Sequence, residues 1–255
     1  MPQALPAAAL ILLRYTAGHT EILMQVRHRD IAFAGGALVF PGGKLEAQDA
    51  DPSLADCIDE AGHPDVLTPA RVAAIRETFE ESGMLLARAR GSDQLLGSDR
   101  ARLLAAERKR LNHGEQGFGD LLQRESLRLA CDTLVHFAHW VTPDFMPHRF
   151  DTKFFLAHAP EMQADTHDGR ESVESVWIRP GDALEAAQKG RYKLLFPTRS
   201  ILHRLSEDEP PETHLRRAGA TPVVTALPRL VRRAEGTFVQ IPDDIGFSYC
   251  EEQID

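Results

Sequence analysis

The sequence predicts an α/β fold, a mixed sheet lying between helices, and three features point there. Two strand-like apolar runs, 7–15 and 21–27, face each other across Gly18. A helical stretch, Ala73 to Leu86, carries apolar and acidic residues on separate faces. Further on, strand-like runs at 133–141, 154–157 and 175–178 are interspersed with helical patterns. At 255 residues the chain suits one domain, 1–255, carrying insertions.

In chain order, the 7–15 and 21–27 runs form a hairpin, and Arg27 ends its second strand beside a glycine-rich turn. An arginine so placed either clamps an oxyanion bidentately or forms a surface ion pair. A third strand, Ala37 to Phe40, runs into Pro41-Gly42-Gly43, where glycine lets the backbone turn sharply and approach another element. Residues 50–68 are acidic and broken by Pro52, Gly62 and Pro64, which reads as an insertion of loops and one short helix. A second insertion, about 91–132, holds helical patterns at 98–112 and 118–130; its charges, including Arg100, Glu107, Arg108 and Arg110, read as a solvated face, with a substrate or partner contact as the alternative.

His136 and His139 in the 133–141 strand are three apart, which sends them to opposite faces and argues against a shared metal. Trp177 reads as a core residue, or as an aromatic that stacks a nucleobase. Arg179-Pro180 opens a helix to Lys189, and a last helix follows at about 198–206. The extension 206–255 alternates in strand fashion at 221–224 and 237–242, as a strand pair packed on the domain or swapped onto the partner of a homodimer.

The central stretch is AAIRETFEESGMLL, residues 73–86. Thr68 suits the N-cap and Pro69 the first helical position. Glu77, Glu80 and Glu81, at i, i+3 and i+4, share one face; Val72, Ile75, Phe79 and Leu86 lie nearly opposite. Like charges one turn apart repel, so the cluster is a solvated acidic face or a place for a hard cation, which takes carboxylate, water and phosphate oxygens.

Net charge −9 leaves no basic surplus for a nucleic-acid backbone, and no apolar run approaches membrane-spanning length. The first fifteen residues lack a basic n-region, and Ala7 to Tyr15 reads as a buried strand, not a signal peptide. Cys57, Cys131 and Cys250 are isolated, as in buried thiols of a reducing cytoplasm.

These residues carry a resemblance. Arg76-Glu77-Thr78-Phe79-Glu80-Glu81-Ser82-Gly83-Met84 is similar to the second half of the Nudix hydrolase signature, with Thr78 in place of an apolar residue. Gly43 matches the signature's first glycine, Asp49 stands at the next acidic position, and residues 50–75 fill a gap where seven are usual. HFAHWVTP, RFDTKFFLA, HDGRESVESVWI and LLFPTR resemble strings of the branch that includes a peroxisomal coenzyme A diphosphatase, whose box is also interrupted. A coenzyme A motif is matched in part: Arg27, Gly36 and the Phe-Pro-Gly-Gly turn correspond, while Ala32 replaces its second arginine. The C-terminal Gln253-Ile254-Asp255 is not a peroxisomal address.

The resemblance implies a Nudix α/β/α sandwich and a pyrophosphohydrolase acting on a small nucleoside diphosphate derivative, coenzyme A or its acyl esters included. An ADP-sugar or dinucleotide substrate, or a silent nucleotide-binding regulator, are the alternatives. It further implies Mg²⁺ or Mn²⁺ held by Glu77, Glu80, Glu81 and the Gly43 carbonyl, with Arg76 as the remaining catalytic residue, orienting the carboxylates. Arg27, Gly42 and Gly43 would shape the substrate site. Glu77, Glu161, Glu171 and Glu174 are the candidates for general base.

Overall fold

The computed structural model describes residues 3–28, 35–60, 65–161 and 172–254. In chain order its elements are β1 (Leu5–Thr16), β2 (His19–Arg27), β3 (Leu38–Val39), β4 (Gly42–Lys44), α1 (Thr68–Ser82), β5 (Ala87–Ala89), α2 (Ser98–Asn112), α3 (Phe118–Arg124), β6 (Leu127–Leu129), β7 (Val135–Val141), β8 (Phe150–His158), β9 (Ser172–Ile178), α4 (Pro180–Gln188), α5 (Phe196–Arg204), α6 (Pro211–Ala220), β10 (Thr225–Ala226), β11 (Arg229–Arg233), β12 (Gly236–Gln240) and β13 (Glu251–Gln253). Short 3-10 turns fill Ala47–Ala50, Pro52–Cys57 and Cys131–Thr133.

The main sheet runs β10-β7-β8-β1-β2-β3, with β4 on β1 and β9 on β2. It is mixed, because β1 and β8 are parallel while β1 with β2, β7 with β8 and β2 with β9 are antiparallel. β1 lies at its centre and is apolar on both faces for that reason. Leu10 and Leu12 join the core that includes Val72, Ile75 and Phe79 of α1; Ile11 and Leu13 join the core built with Ala183 of α4 and Ile201 of α5. The predicted α/β/α layering follows from that double burial, each large apolar side chain contributing about 1.5–3 kcal/mol.

Several expectations are corrected. The 118–130 helix stops at Arg124, since Ser126 takes a positive φ of 52° and 127–129 pairs as a strand with β5. The helix expected at 198–206 starts at Phe196 and is not the last: α6 begins at Pro211, inside the charged tail. That tail packs on the domain, with β10 parallel to β7, β11–β13 in a small sheet, and Ile241 and Phe247 in the second core.

The two histidines of β7 do not face apart. A bulge at Phe137 shifts the register, so His136 pairs with Phe155 and His139 with Lys153, residues on one face of β8. Both therefore lie on the α1 side, where His136 packs its ring on Phe155. Trp177 packs against the α1-side core beneath Arg14, whose guanidinium sits 4.2 Å from the ring centre. Cys57 and Cys131 are buried free thiols, and Cys250 is half-buried. Among the described residues no helix is long and apolar enough to cross a membrane.

Candidate active site

α1 places the acidic cluster. Its N-cap is Leu67 rather than Thr68, which is the first helical residue; the Thr68 hydroxyl accepts from the Asp65 amide and donates to Glu60. Pro69 sits in the first turn, and Gly83 ends the helix in the left-handed conformation, φ 79°. Val72, Ile75 and Phe79 are fully buried, whereas Leu86 lies beyond the helix end, buried all the same. Thr78 fits an apolar position because its hydroxyl donates back to the Ala74 carbonyl at 2.7 Å and leaves only its methyl to pack.

Opposite the helix, β4 pairs with the start of β1, Gly43 against Ala8. A Cβ at Gly43 would sit 2.4 Å from the Glu77 carboxyl, so glycine is what permits this contact. The Gly42 amide donates to Glu81 Oε2 at 3.0 Å, and a Cβ there would meet the Ala8 carbonyl at 2.4 Å. The two glycines thus do different work: Gly42 lets β4 lie against β1, and Gly43 leaves room for a carboxylate.

Arg76 is the hub. Nearly inaccessible at 1% exposure, it donates through Nε and Nη2 to Asp49 at 2.7 and 2.9 Å, through Nη1 to Glu77 at 3.0 Å and Glu80 at 3.2 Å, and to the Lys44 carbonyl. Burial opposes its charge, but the Asp49 hydrogen bonds and the surrounding carboxylates more than offset this and raise its pKa. Asp49, at the box's acidic position, binds Arg76 rather than facing the acids of α1, and also accepts from the Glu46 amide at 2.8 Å. Burial first, then the acids Glu46 and Asp49, push the Glu80 carboxyl above its ordinary value despite Arg76.

The expected gathering of Glu77, Glu80 and Glu81 is realised differently. Among the described residues no three acid, histidine or cysteine side chains converge to enclose a cation. Glu77 and Glu80 share Arg76 Nη1, while Glu81, 6% exposed, turns to the Gly42 amide. The donor set still suits a hard divalent ion: carboxylate oxygens in excess over cationic partners, half-sunk beside a glycine that leaves them room.

Other candidates fall outside the cluster. Glu161 follows the end of β8 that pairs with Leu13, and so lies more than about 15 Å along β1 from Gly43's partner Ala8. Glu174 pairs with Val26, on the face turned to the second core, away from α1. Glu171 and Ala32 lie outside the described residues. Arg27 closes β2, its amide donating to the Ala37 carbonyl, two residues beyond buried Gln25.

One residue of the site was assigned to solvent by its charge pattern. Arg108 of α2 is buried and donates through Nε to the Glu80 carbonyl at 2.7 Å and through Nη2 to the Glu81 carbonyl. Asn112, one turn on, also donates to the Glu80 carbonyl. Within α2 the signal was faint: Leu104, Arg108 and Leu111 share a buried face, and only the flanking apolar positions mark it.

Comparison with known proteins agrees with this architecture. Residues 59–205 match the family described as NUDT19 Nudix domain. A protein of Caenorhabditis elegans named as nudix hydrolase 7 is 30% identical over 79% of this chain and 60% of its own length. Human acyl-coenzyme A diphosphatase NUDT19 is 28% identical over 65% of this chain and 55% of its own, so the chain spans little more than half of these curated relatives. The crystal structure of a Nudix hydrolase from Alicyclobacillus acidocaldarius superposes with a TM-score of 0.69 at 28% identity, covering 85% of this chain and 97% of that one. With more than half its length in the family match and the box residues assembled around Arg76, the chain belongs to the Nudix hydrolases, in the NUDT19 Nudix domain family.

Proposed function

We propose that the protein is a metal-dependent pyrophosphohydrolase that cleaves the diphosphate linkage of a nucleoside diphosphate derivative, coenzyme A or its acyl esters being the favoured class. The observation that carries this reading is the charge imbalance at α1: one buried arginine faces three carboxylates, and a fourth, Glu81, is buried beside them. Such an excess is costly unless a cation offsets it. The coenzyme A preference rests on the likeness to acyl-coenzyme A diphosphatases and on the partial motif around Arg27 and the Phe-Pro-Gly-Gly turn.

Glu77, Glu80, Glu81 and the Gly43 carbonyl would hold Mg²⁺ or Mn²⁺. Bound there, the ion supplies Lewis acidity toward phosphate oxygens and lowers the pKa of a coordinated water. Arg76 is a positioning residue, fixed by Asp49 from behind and aligning Glu77 and Glu80 in front. Gly42 orients Glu81 through its amide. Of the candidates for general base, Glu77 belongs to the cluster, whereas Glu161 and Glu174 stand away from it. Arg27 is assigned to a substrate phosphate.

The test is incubation of purified protein with Mg²⁺ and a panel of coenzyme A, ADP-ribose, NADH and dinucleoside polyphosphates. Release of phosphopantetheine and 3′,5′-ADP is expected. Turnover of ADP-ribose or dinucleotides alone would retain the chemistry and replace the substrate, and no turnover of any diphosphate would remove the enzymatic reading.

A further inference from the structure

The acids of the site sit at an unfavourable end of their helix. Phe79, Glu80, Glu81 and Ser82 form the last turn of α1, where carbonyls lack partners within the helix and the macrodipole is negative. Carboxylates there repel the carbonyls behind them as well as one another. The Phe79 carbonyl is taken by the Gly83 amide at 2.8 Å. Those of Glu80 and Glu81, the two residues whose side chains face the site, are taken by Arg108 from α2.

Three properties set this contact apart from ordinary capping. Arg108 reaches two successive carbonyls with separate nitrogens of one planar fork, which fixes the Glu80–Glu81 peptide in orientation as well as position. It is only 8% exposed, so its charge acts on that turn with little screening by water. It also comes from the segment after the box, so a helix otherwise remote in sequence buttresses the acids from behind while Arg76 holds two of them from the front.

Resting on the cation-site reading above, we propose that Arg108 is a positioning residue for that site, tuning cation affinity by fixing the Glu80–Glu81 backbone and offsetting the negative helix end. The test is direct Mn²⁺ binding, by electron paramagnetic resonance of the free ion, to the full chain and to Arg108→Met, Arg108→Lys and Glu81→Gln. Thermal unfolding is recorded alongside. Arg108→Met is expected to weaken Mn²⁺ binding about 10- to 100-fold, the scale of outer-shell losses at metal centres. Arg108→Lys, keeping the charge and losing the fork, is expected to recover part of that affinity.

If Arg108→Met binds Mn²⁺ as tightly as the parent while Glu81→Gln does not, the role of Arg108 is refuted and the cation site stands. If Glu81→Gln also binds normally, the cation site itself is refuted. Should Arg108→Met not fold, Arg108→Lys decides: weaker binding at unchanged unfolding temperature supports the role, and unchanged binding overturns it.

Discussion

Two charged networks flank α1, and they differ in balance. Near its N-terminal end, Arg88 pairs with Asp59 and Asp132, and Arg128 with Asp59, around a cavity of about 590 Å³. There two arginines meet two aspartates, all partly open to water. On the helix face opposite β4, Arg76 meets Asp49, Glu77 and Glu80, with Glu81 buried alongside and Arg108 on the carbonyls behind. The first network ties β5, β6 and the preceding turn together. The second is short of positive charge in a place where charge is expensive. The excess of carboxylate around Arg76 is what the proposed cation would offset, whereas the paired charges at β5 and β6 suit scaffolding.

The largest effect should come from severing the hub from its anchor. Asp49→Ala leaves Arg76 without its bidentate partner in the interior and should cost about 3–5 kcal/mol of stability, measured by denaturant unfolding. A loss below about 1 kcal/mol would show that Glu77 and Glu80 hold Arg76 unaided. Glu81→Gln is nearly isosteric, so its circular dichroism should match the parent while turnover with Mg²⁺ falls on the order of 100-fold or more. An unchanged rate would sink the assignment of the unbalanced network to metal.

The two glycines separate folding from chemistry. Gly42→Ala pushes a methyl onto the β1 backbone and should lower the unfolding temperature. Gly43→Ala meets first the movable end of Glu77, and should leave that temperature within a few degrees while cutting turnover about tenfold or more. The reverse pattern would place the cradle at Gly42. In the balanced network, Arg88→Met should cost about 1 kcal/mol and leave turnover alone, as expected of partly exposed ion pairs. A large loss of activity would mean that the cavity there takes part in function.

A smaller, pH-dependent effect belongs to His136. Burial, with His139, Arg71 and Lys153 nearby, pushes its pKa down to about 4 from an ordinary 6.5. Below 6.5 the unfolded chain takes up a proton that the folded chain refuses, so this stability is complete above pH 6.5 and is lost as pH falls toward 4. His136→Gln should flatten unfolding temperature against pH across that window, and an unaltered profile would place the sensitivity elsewhere.

By itself the sequence determined the layered α/β fold, the carboxylates and arginine of α1, and the glycine turn, because each rests on local periodicity or on residues adjacent in the chain. The downstream strands were legible in place though not in length, since pairing partners set where a strand ends. What only the tertiary structure decided involves residues distant in sequence or a change of register. Asp49 reaches Arg76 across the insertion, a bulge brings His136 and His139 to one face, and α6 emerges from a stretch rich in proline and charge. Arg108 belongs with these. Charge pattern sends an arginine outward by default, and only the packing of α2 on α1 brings it within reach of two carbonyls of the last turn of α1, where a guanidinium is more stable than in a row of like charges.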